Sequence, residues 1–136
     1  VTDGQAIARR YFELWNAGDL DGLMDLLSDD FTLHGMGMPI SGVTHVVDKP
    51  SLNATARKRA NQFAVPLKIT VDDIAGDGDH VAVQCRSRAE LVDGTPYNNR
   101  YSFHFHFRNG EIVRIEEYCC TYSVVKILRE NGISMK

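Results

Sequence analysis

The chain lacks what several large protein classes require. It has three cysteines, two of them adjacent at Cys119 and Cys120. That is no basis for a disulfide framework, and it points to a reducing, cytoplasmic setting. No apolar run approaches the roughly 20 residues of a membrane span, so no membrane partner is expected. No secretory pattern opens the sequence. Positive charge is short as well: 15 Lys and Arg against 18 Asp and Glu leave a net charge of −3. A nucleic-acid surface needs clustered basic residues. The one such cluster, Arg57-Lys58-Arg59, reads as the solvated face of a helix, so no nucleic acid is expected either. Repeats, low-complexity tracts and linkers are missing, and residues 1–136 fit a single domain. A domain of this size buries roughly two-thirds of its unfolded surface, enough for a core and a small pocket.

What is present centres on residues 97–120, YNNRYSFHFHFRNGEIVRIEEYCC. Tyr101, Phe103, Phe105 and Phe107 alternate with Ser102, His104, His106 and Arg108, the period-2 signature of a strand with one apolar face. Asn109-Gly110 follows, the strongest short-range hairpin signal, because a type I′ turn needs positive φ at both central residues. In the return strand Val113, Ile115, Glu117 and Cys119 share one face. If Val113 and Ile115 point into the core, a carboxylate points in with them.

The rest of the chain divides by period. Thr2 and Gln5 form a capping box, and Ile7, Tyr11, Leu14 and Trp15 make one helix face that Gly18 ends. Asp19 caps a second helix with Leu20, Leu23, Met24 and Leu27 buried and Ser28-Asp29-Asp30 as its stop. Phe31 to His34 is a short strand, residues 35–42 are irregular, and a third helix starts at Pro50 and runs to about Phe63 with no clean apolar stripe. From Pro66 strands take over, with a bulge at Asp72-Asp73 and a turn at residues 76–79. The acidic residues of that turn lack the spacing of an EF-hand. Val81, Val83, Cys85, Ser87, Ala89 and Leu91 face one way along the next strand, and Gln84, Arg86, Arg88 and Glu90 the other. Asp93-Gly94 turns the chain into the hairpin, and Tyr122 to Glu130 forms a last helix stopped by Gly132. Helices first and a meander of long strands after is an α+β arrangement.

RRYFELWNAGDLDGLMDLLSDDFTLHG at residues 9–35 and FRNGEIVRIEEY at residues 107–118 resemble the nuclear transport factor 2-like superfamily. Its members include ketosteroid isomerase, the SnoaL-like polyketide cyclases, limonene epoxide hydrolase and scytalone dehydratase. The resemblance implies a cystatin-like, cone-shaped, curved antiparallel sheet wrapped around N-terminal helices. It also implies an apolar pocket at the open end and a homodimer through the outer sheet face. It does not specify the reaction, since this fold hosts enzymes and non-enzymes. The oxyanion tyrosine of ketosteroid isomerase carries over to Tyr11. That enzyme's base aspartate falls at Gly35 and its protonated aspartate at Phe103, so two of the three groups are absent. An aspartate of limonene epoxide hydrolase aligns with Glu117. The Arg-x-Asp partner would be Arg88-Ala89-Glu90, which alternation puts on the polar face. The SnoaL-like cyclases commonly carry an Asp where this chain has Cys120.

Three residues are the candidates for chemistry. Glu117 is a general acid or base if its face is apolar, or an exposed partner of Glu116 if a bulge turns it out. Tyr11 donates to a ligand oxygen, or is a core aromatic. His34 is a base poised near neutral pH, or caps its strand. Trp15, Met36, Met38, Asn99, Tyr101, Phe103, Phe105, Ile115 and Cys119 are the candidate ligand-binding residues. Asn99 either orients a ligand or satisfies strand backbone. Cys119 reads as apolar filler, since no basic neighbour is at hand to lower its pKa. His104 and His106 share a strand face but want a third ligand for a metal, so they read as a hydrated or dimer-facing surface, and His45 and His80 have no partner. No metal or cofactor is required. The expectation is an acid/base isomerase, cyclase, dehydratase or epoxide hydrolase acting on a small, mainly apolar steroid-, polyketide- or terpenoid-like molecule. The alternative is a noncatalytic binding or dimerisation module of the same fold.

Overall fold

The structure is a computed structural model that describes residues 3–36, 45–61 and 63–130. Helix α1 (Gly4–Ala17) begins at Asp3, whose side chain accepts from the Gln5 N–H at 3.0 Å. The N-cap is therefore one residue later than Thr2, which lies outside the described residues. Gln5 does not close a capping box; its Nε2 donates to the Gly76 carbonyl at 2.8 Å. Gly18 ends the helix with φ +72° and returns its N–H to the Leu14 and Trp15 carbonyls, as the left-handed C′ position requires. Gly4 is needed for a different reason. A Cβ there would stand 3.0 Å from the Gly78 carbonyl oxygen and 3.1 Å from the Phe107 ring, so its bare backbone lets α1 start against the sheet.

Helix α2 (Leu20–Asp25) is short, capped by Asp19, whose carboxylate accepts from Gly22 N–H at 2.9 Å. Ser28-Asp29-Asp30 is not its stop. Those residues already belong to strand β1 (Leu27–Met36), which begins earlier than Phe31 because buried Leu27 anchors it at 1% exposure. Strand β2 (His45–Asp48) was not expected; it is too brief for alternation to register. Asp48 then caps α3 (Lys49–Ala60), with Pro50 in the first turn and only Leu52 and Ala56 buried. Strands β3 (Phe63–Asp77), β4 (His80–Leu91), β5 (Pro96–Arg108) and β6 (Glu111–Cys119) follow, and helix α4 (Thr121–Glu130) closes the described chain.

The six strands form one curled sheet in the order β2-β1-β6-β5-β4-β3. All pairs are antiparallel except β1 with β6, which is parallel. The β5–β6 turn has φ +53° at Asn109 and +77° at Gly110, the type I′ requirement. One irregularity decides the inner face. Arg114 pairs with His106 and Ile112 with Phe107, so Val113 is an extra residue, a β-bulge. Ile112, not Val113, is the core side chain at that end, at 0% exposure. Past the bulge the parity read from the sequence holds. A second bulge lies at Asp72, between the Val71–Cys85 and Asp73–Gln84 pairs.

The concave face of the sheet packs on α1. Ile7, Ala8, Tyr11, Phe12 and Leu14 of the helix share one buried cluster with Val81, Val83, Phe103, Phe105, Ile112 and Ile115. Edge-on aromatic contacts tie the layers: Tyr11 to Phe105 at 5.3 Å and Phe12 to Phe103 at 5.3 Å between ring centroids. Each such pair adds about 0.5–1.5 kcal/mol beyond the area it buries.

Candidate active site

Along three neighbouring strands the inner face changes character at the same level. Strand β4 runs Val81, Val83, then Cys85 and Ser87; β5 runs Phe105, Phe103, then Tyr101, Asn99 and Tyr97; β6 runs Ile115, then Glu117 and Cys119. The register aligns these steps. Val83, Phe103 and Glu117 form one cross-strand row, continued by Gly35 of β1. Cys85, Tyr101 and Cys119 form the next row, and Ser87 and Asn99 a third. One end of the cone is therefore a packed apolar core and the other carries polar groups.

Glu117 points inward, flanked by Phe103 on β5 and by Gly35 on β1. Gly35 adds no side chain beside it. Burial pushes the Glu117 carboxyl up from its ordinary value, and the Arg59 guanidinium near the end of α3 offsets part of that rise. Desolvation disfavours the charged form. Tyr11 faces it from α1, and burial together with the Glu117 charge drives the Tyr11 hydroxyl well up. Tyr11 therefore remains a hydrogen-bond donor at any ordinary pH. Neither the Glu117 carboxyl nor the Tyr11 hydroxyl bonds to another described residue. No sealed polar side-chain atom lacks a partner among the described residues.

Cys119 and Cys85 lie on the same face. Burial first, and the Glu117 charge second, push their thiols up to about 11 and about 12. Both are protonated fillers, as a thiol without a cationic neighbour should be. Asn99 is 5% exposed and its carboxamide is used up. Its Oδ1 accepts from the N–H groups of Arg100 and Cys120, and its Nδ2 donates to the Cys120 carbonyl and the Tyr97 hydroxyl. It clamps the end of β6 to β5, which is the strand-backbone role. Trp15 packs half-buried against the core from α1.

His34 does not join this group. It pairs with Glu116, one residue out of phase with Glu117, and so lies on the outer face with its Nε2 3.1 Å from the Thr32 hydroxyl. Burial and the nearby Arg114 lower its pKa. Met36 pairs with Tyr118 and shares the outer parity; Met38 lies outside the described residues. In both corrections the cause is the same. Strand β1 continues regularly through residues 33–36, so every second side chain must leave the cone. Arg88 and Glu90 are exposed on the outer face as alternation implies, so no Arg-x-Asp pair from β4 reaches Glu117.

The outer face has its own cluster. His80 does have a partner: its Nε2 is 3.0 Å from His104 Nδ1, and its ring stacks on His106 at 4.6 Å. His106 Nε2 is 2.7 Å from Glu116 Oε1. Among the described residues no group of three His, Cys, Asp or Glu is arranged to hold a metal ion. A concavity of about 630 Å³ is bordered by Asp72, Gln84, Arg86, Arg100, Ser102 and Tyr118 of this face together with Cys85, Tyr101 and Cys119. Its charged rim is a poor match for an apolar ligand. Two inner residues were not singled out from the sequence, Ser87 and Tyr97. Carrying the alternation of Tyr101 back through Asn99 would have reached Tyr97.

The model of the SnoaL-like domain matches residues 8–115, from within α1 to the middle of β6. The chain belongs to the SnoaL-like domain family. No curated protein matches it by sequence. Solved structures do match by fold. PrhC from Penicillium brasilianum superposes with a TM-score of 0.81 at 13% identity, over 93% of this chain and 86% of that one. IdmH from Streptomyces antibioticus, a candidate polyketide cyclase, gives 0.73 at 22% identity, over 92% and 97%. The LEH-like epoxide hydrolase of M. tuberculosis gives 0.74 at 15% identity, over 92% and 88%. At these identities the likeness speaks for the SnoaL-like fold alone.

Proposed function

We propose that the polar end of the cone is a cofactor-independent acid/base site for a small, mainly apolar molecule bearing an oxygen function. Glu117 moves the proton and Tyr11 donates to the oxygen that gains charge. The observation that carries this reading is the inward Glu117 carboxyl, desolvated and without a hydrogen-bond partner among the described residues, with the Tyr11 hydroxyl facing the same interior from α1. A carboxyl with a raised pKa is a stronger base when ionised and a usable acid near neutral pH. A neutral phenol nearby lowers the cost of an oxyanion without adding charge. Trp15, Phe103, Phe105 and Ile115 would form the apolar wall. His34 and Met36 have no part in it, because the sheet lies between them and Glu117.

The reaction class that fits is isomerisation, cyclisation or dehydration through an enol or enolate. Epoxide opening fits less well, since Arg88 and Glu90 face outward. The second reading is a noncatalytic binding module, favoured by Phe103 and Cys120 standing where relatives place acids. Turnover of candidate enones and epoxides across a pH range separates the two. Glu117→Gln should cost about 10²–10⁴-fold in rate and Tyr11→Phe about 10²-fold. Equal turnover by both variants and the parent would rule out these roles. We further propose a homodimer through the outer sheet face carrying His104 and His106, and a cytoplasmic location.

A further inference from the structure

The inner face holds a set of hydrogen bonds that the acid/base pair does not use. The Ser87 hydroxyl is 2.9 Å from the Tyr101 hydroxyl. Asn99 Nδ2 donates to the Tyr97 hydroxyl at 3.3 Å. Each hydroxyl has one proton to give, and the Asn99 amide only donates. Ser87, Tyr101 and Tyr97 thus bring three protons to one hydroxyl–hydroxyl link. Two protons are left over.

Their place follows from burial. Ser87 is 2% exposed and has no acceptor besides Tyr101 among the described residues. A buried hydroxyl proton without an acceptor is costly, so Ser87 donates to Tyr101. The spare protons then belong to the two tyrosines, both only half-buried. Tyr97, Asn99 and Tyr101 alternate on the inner face of β5, so those protons are directed into the cone. Phe103 pairs with Glu117 and Tyr101 with Cys119, so Tyr101 stands one cross-strand row from the carboxyl, with Tyr97 further along the same face. Tyr11 approaches from the helix; Tyr97 and Tyr101 approach from the sheet.

We propose that the Tyr97–Tyr101 pair is a second hydrogen-bond donor of the site, aimed by Ser87 and Asn99 at an uncharged carbonyl oxygen of the ligand. The inference rests on the reading of the cone as the ligand site. A ligand carboxylate is disfavoured there, because a second anion beside Glu117 is repelled. The pair acts on specificity: it selects ligands with a carbonyl on the sheet side and gives nothing to a hydrocarbon of the same shape. Ser87 and Asn99 are positioning residues that act through the tyrosines.

The test compares 2-acetylnaphthalene, whose ketone only accepts, with 2-ethylnaphthalene, by fluorescence titration of the full chain. The parent should bind the ketone about tenfold more tightly, as one good hydrogen bond allows. The Tyr97→Phe/Tyr101→Phe variant should lose about 3- to 10-fold of that preference while its affinity for the hydrocarbon stays put. Ser87→Ala should lose part of the preference, again with hydrocarbon binding unchanged, which a merely structural role would not do. If the double variant does not fold, Tyr97→Phe and Ser87→Ala carry the same comparison. Full retention of the preference in the tyrosine variants, or equal affinity for both probes in the parent, overturns the proposal and leaves the pocket standing. Failure of the parent to bind either probe overturns the pocket reading itself.

Discussion

At the scale of the residue, the Glu117 carboxyl is a stability cost as well as a candidate catalyst. Its folded pKa is raised above the ordinary value of 4.5 by burial. A group raised in the folded state contributes stability that is fully present below its unfolded pKa and lost as pH rises through its folded one. Glu117→Gln removes that titration. The variant should melt with the parent near pH 4 and above it at neutral pH, with the gap opening as pH rises past 4.5. Each kcal/mol recovered should appear as about 3–5 °C in Tm for a domain of this size. Thermal melts at several pH values check this, and a constant gap across the range would mean that the carboxyl is not desolvated. A more stable and less active variant is the usual mark of a site that holds strain for function.

At the scale of the element, α1 does two things at once. Its apolar side fills the cone, and Asn16 near its end pairs with the outermost strand. Asn16 Nδ2 donates to the Ile69 carbonyl at 2.8 Å, and Ile69 N–H donates to Asn16 Oδ1 at 2.7 Å. The carboxamide thus stands in for a neighbouring strand at the β3 edge, where open N–H and C=O groups invite pairing with other chains. Asn16→Ala should cost about 1–2 kcal/mol, read as a lower urea midpoint with an unchanged m-value. An unchanged midpoint would show that water replaces the carboxamide at no cost. None of this was legible in the sequence, where Asn16 lies just ahead of the Gly18 that ends the helix. The long elements were legible. Tyr101 to Phe107 and Val81 to Leu91 alternate over enough residues to fix their inner faces. Strand β2 was not, because four residues, His45 to Asp48, show no period. The Val113 bulge was not either: an extra residue is invisible until the partner strand is counted against it.

At the scale of the molecule, the site is a place where separate elements meet. Glu117 comes from β6, Tyr11 from α1, Tyr97 and Tyr101 from β5, and Arg59 from α3. The sequence named Glu117 and Tyr101 from parity, and Tyr11 from its helix face together with the resemblance to ketosteroid isomerase. It also named His34 and Met36, because nearness to a glycine segment says nothing about which side of a strand a residue takes. Arg59 was out of reach, since only the packing of α3 brings its charge near Glu117. The outer face, with His80, His104, His106 and Glu116 in contact, is the surface on which the proposed homodimer would form. Light scattering at micromolar concentration should give twice the chain mass of 15.2 kDa. A monomer would dismiss the interface and leave the inner site untouched.

The extra residue in β6 has a consequence for chain length. Two residues of β6 stand opposite one of β5 at the bulge, so loss of Val113 restores one-to-one pairing. Ile112 and the run from Arg114 to Cys119 then keep their present faces. Loss of a residue beyond it, such as Glu116, has no slack to absorb it and forces Glu117 or the core residues before it to change sides. The hairpin therefore carries a built-in tolerance for a one-residue deletion at the bulge. Descendants of this chain can shorten it there without turning the carboxyl out of the cone.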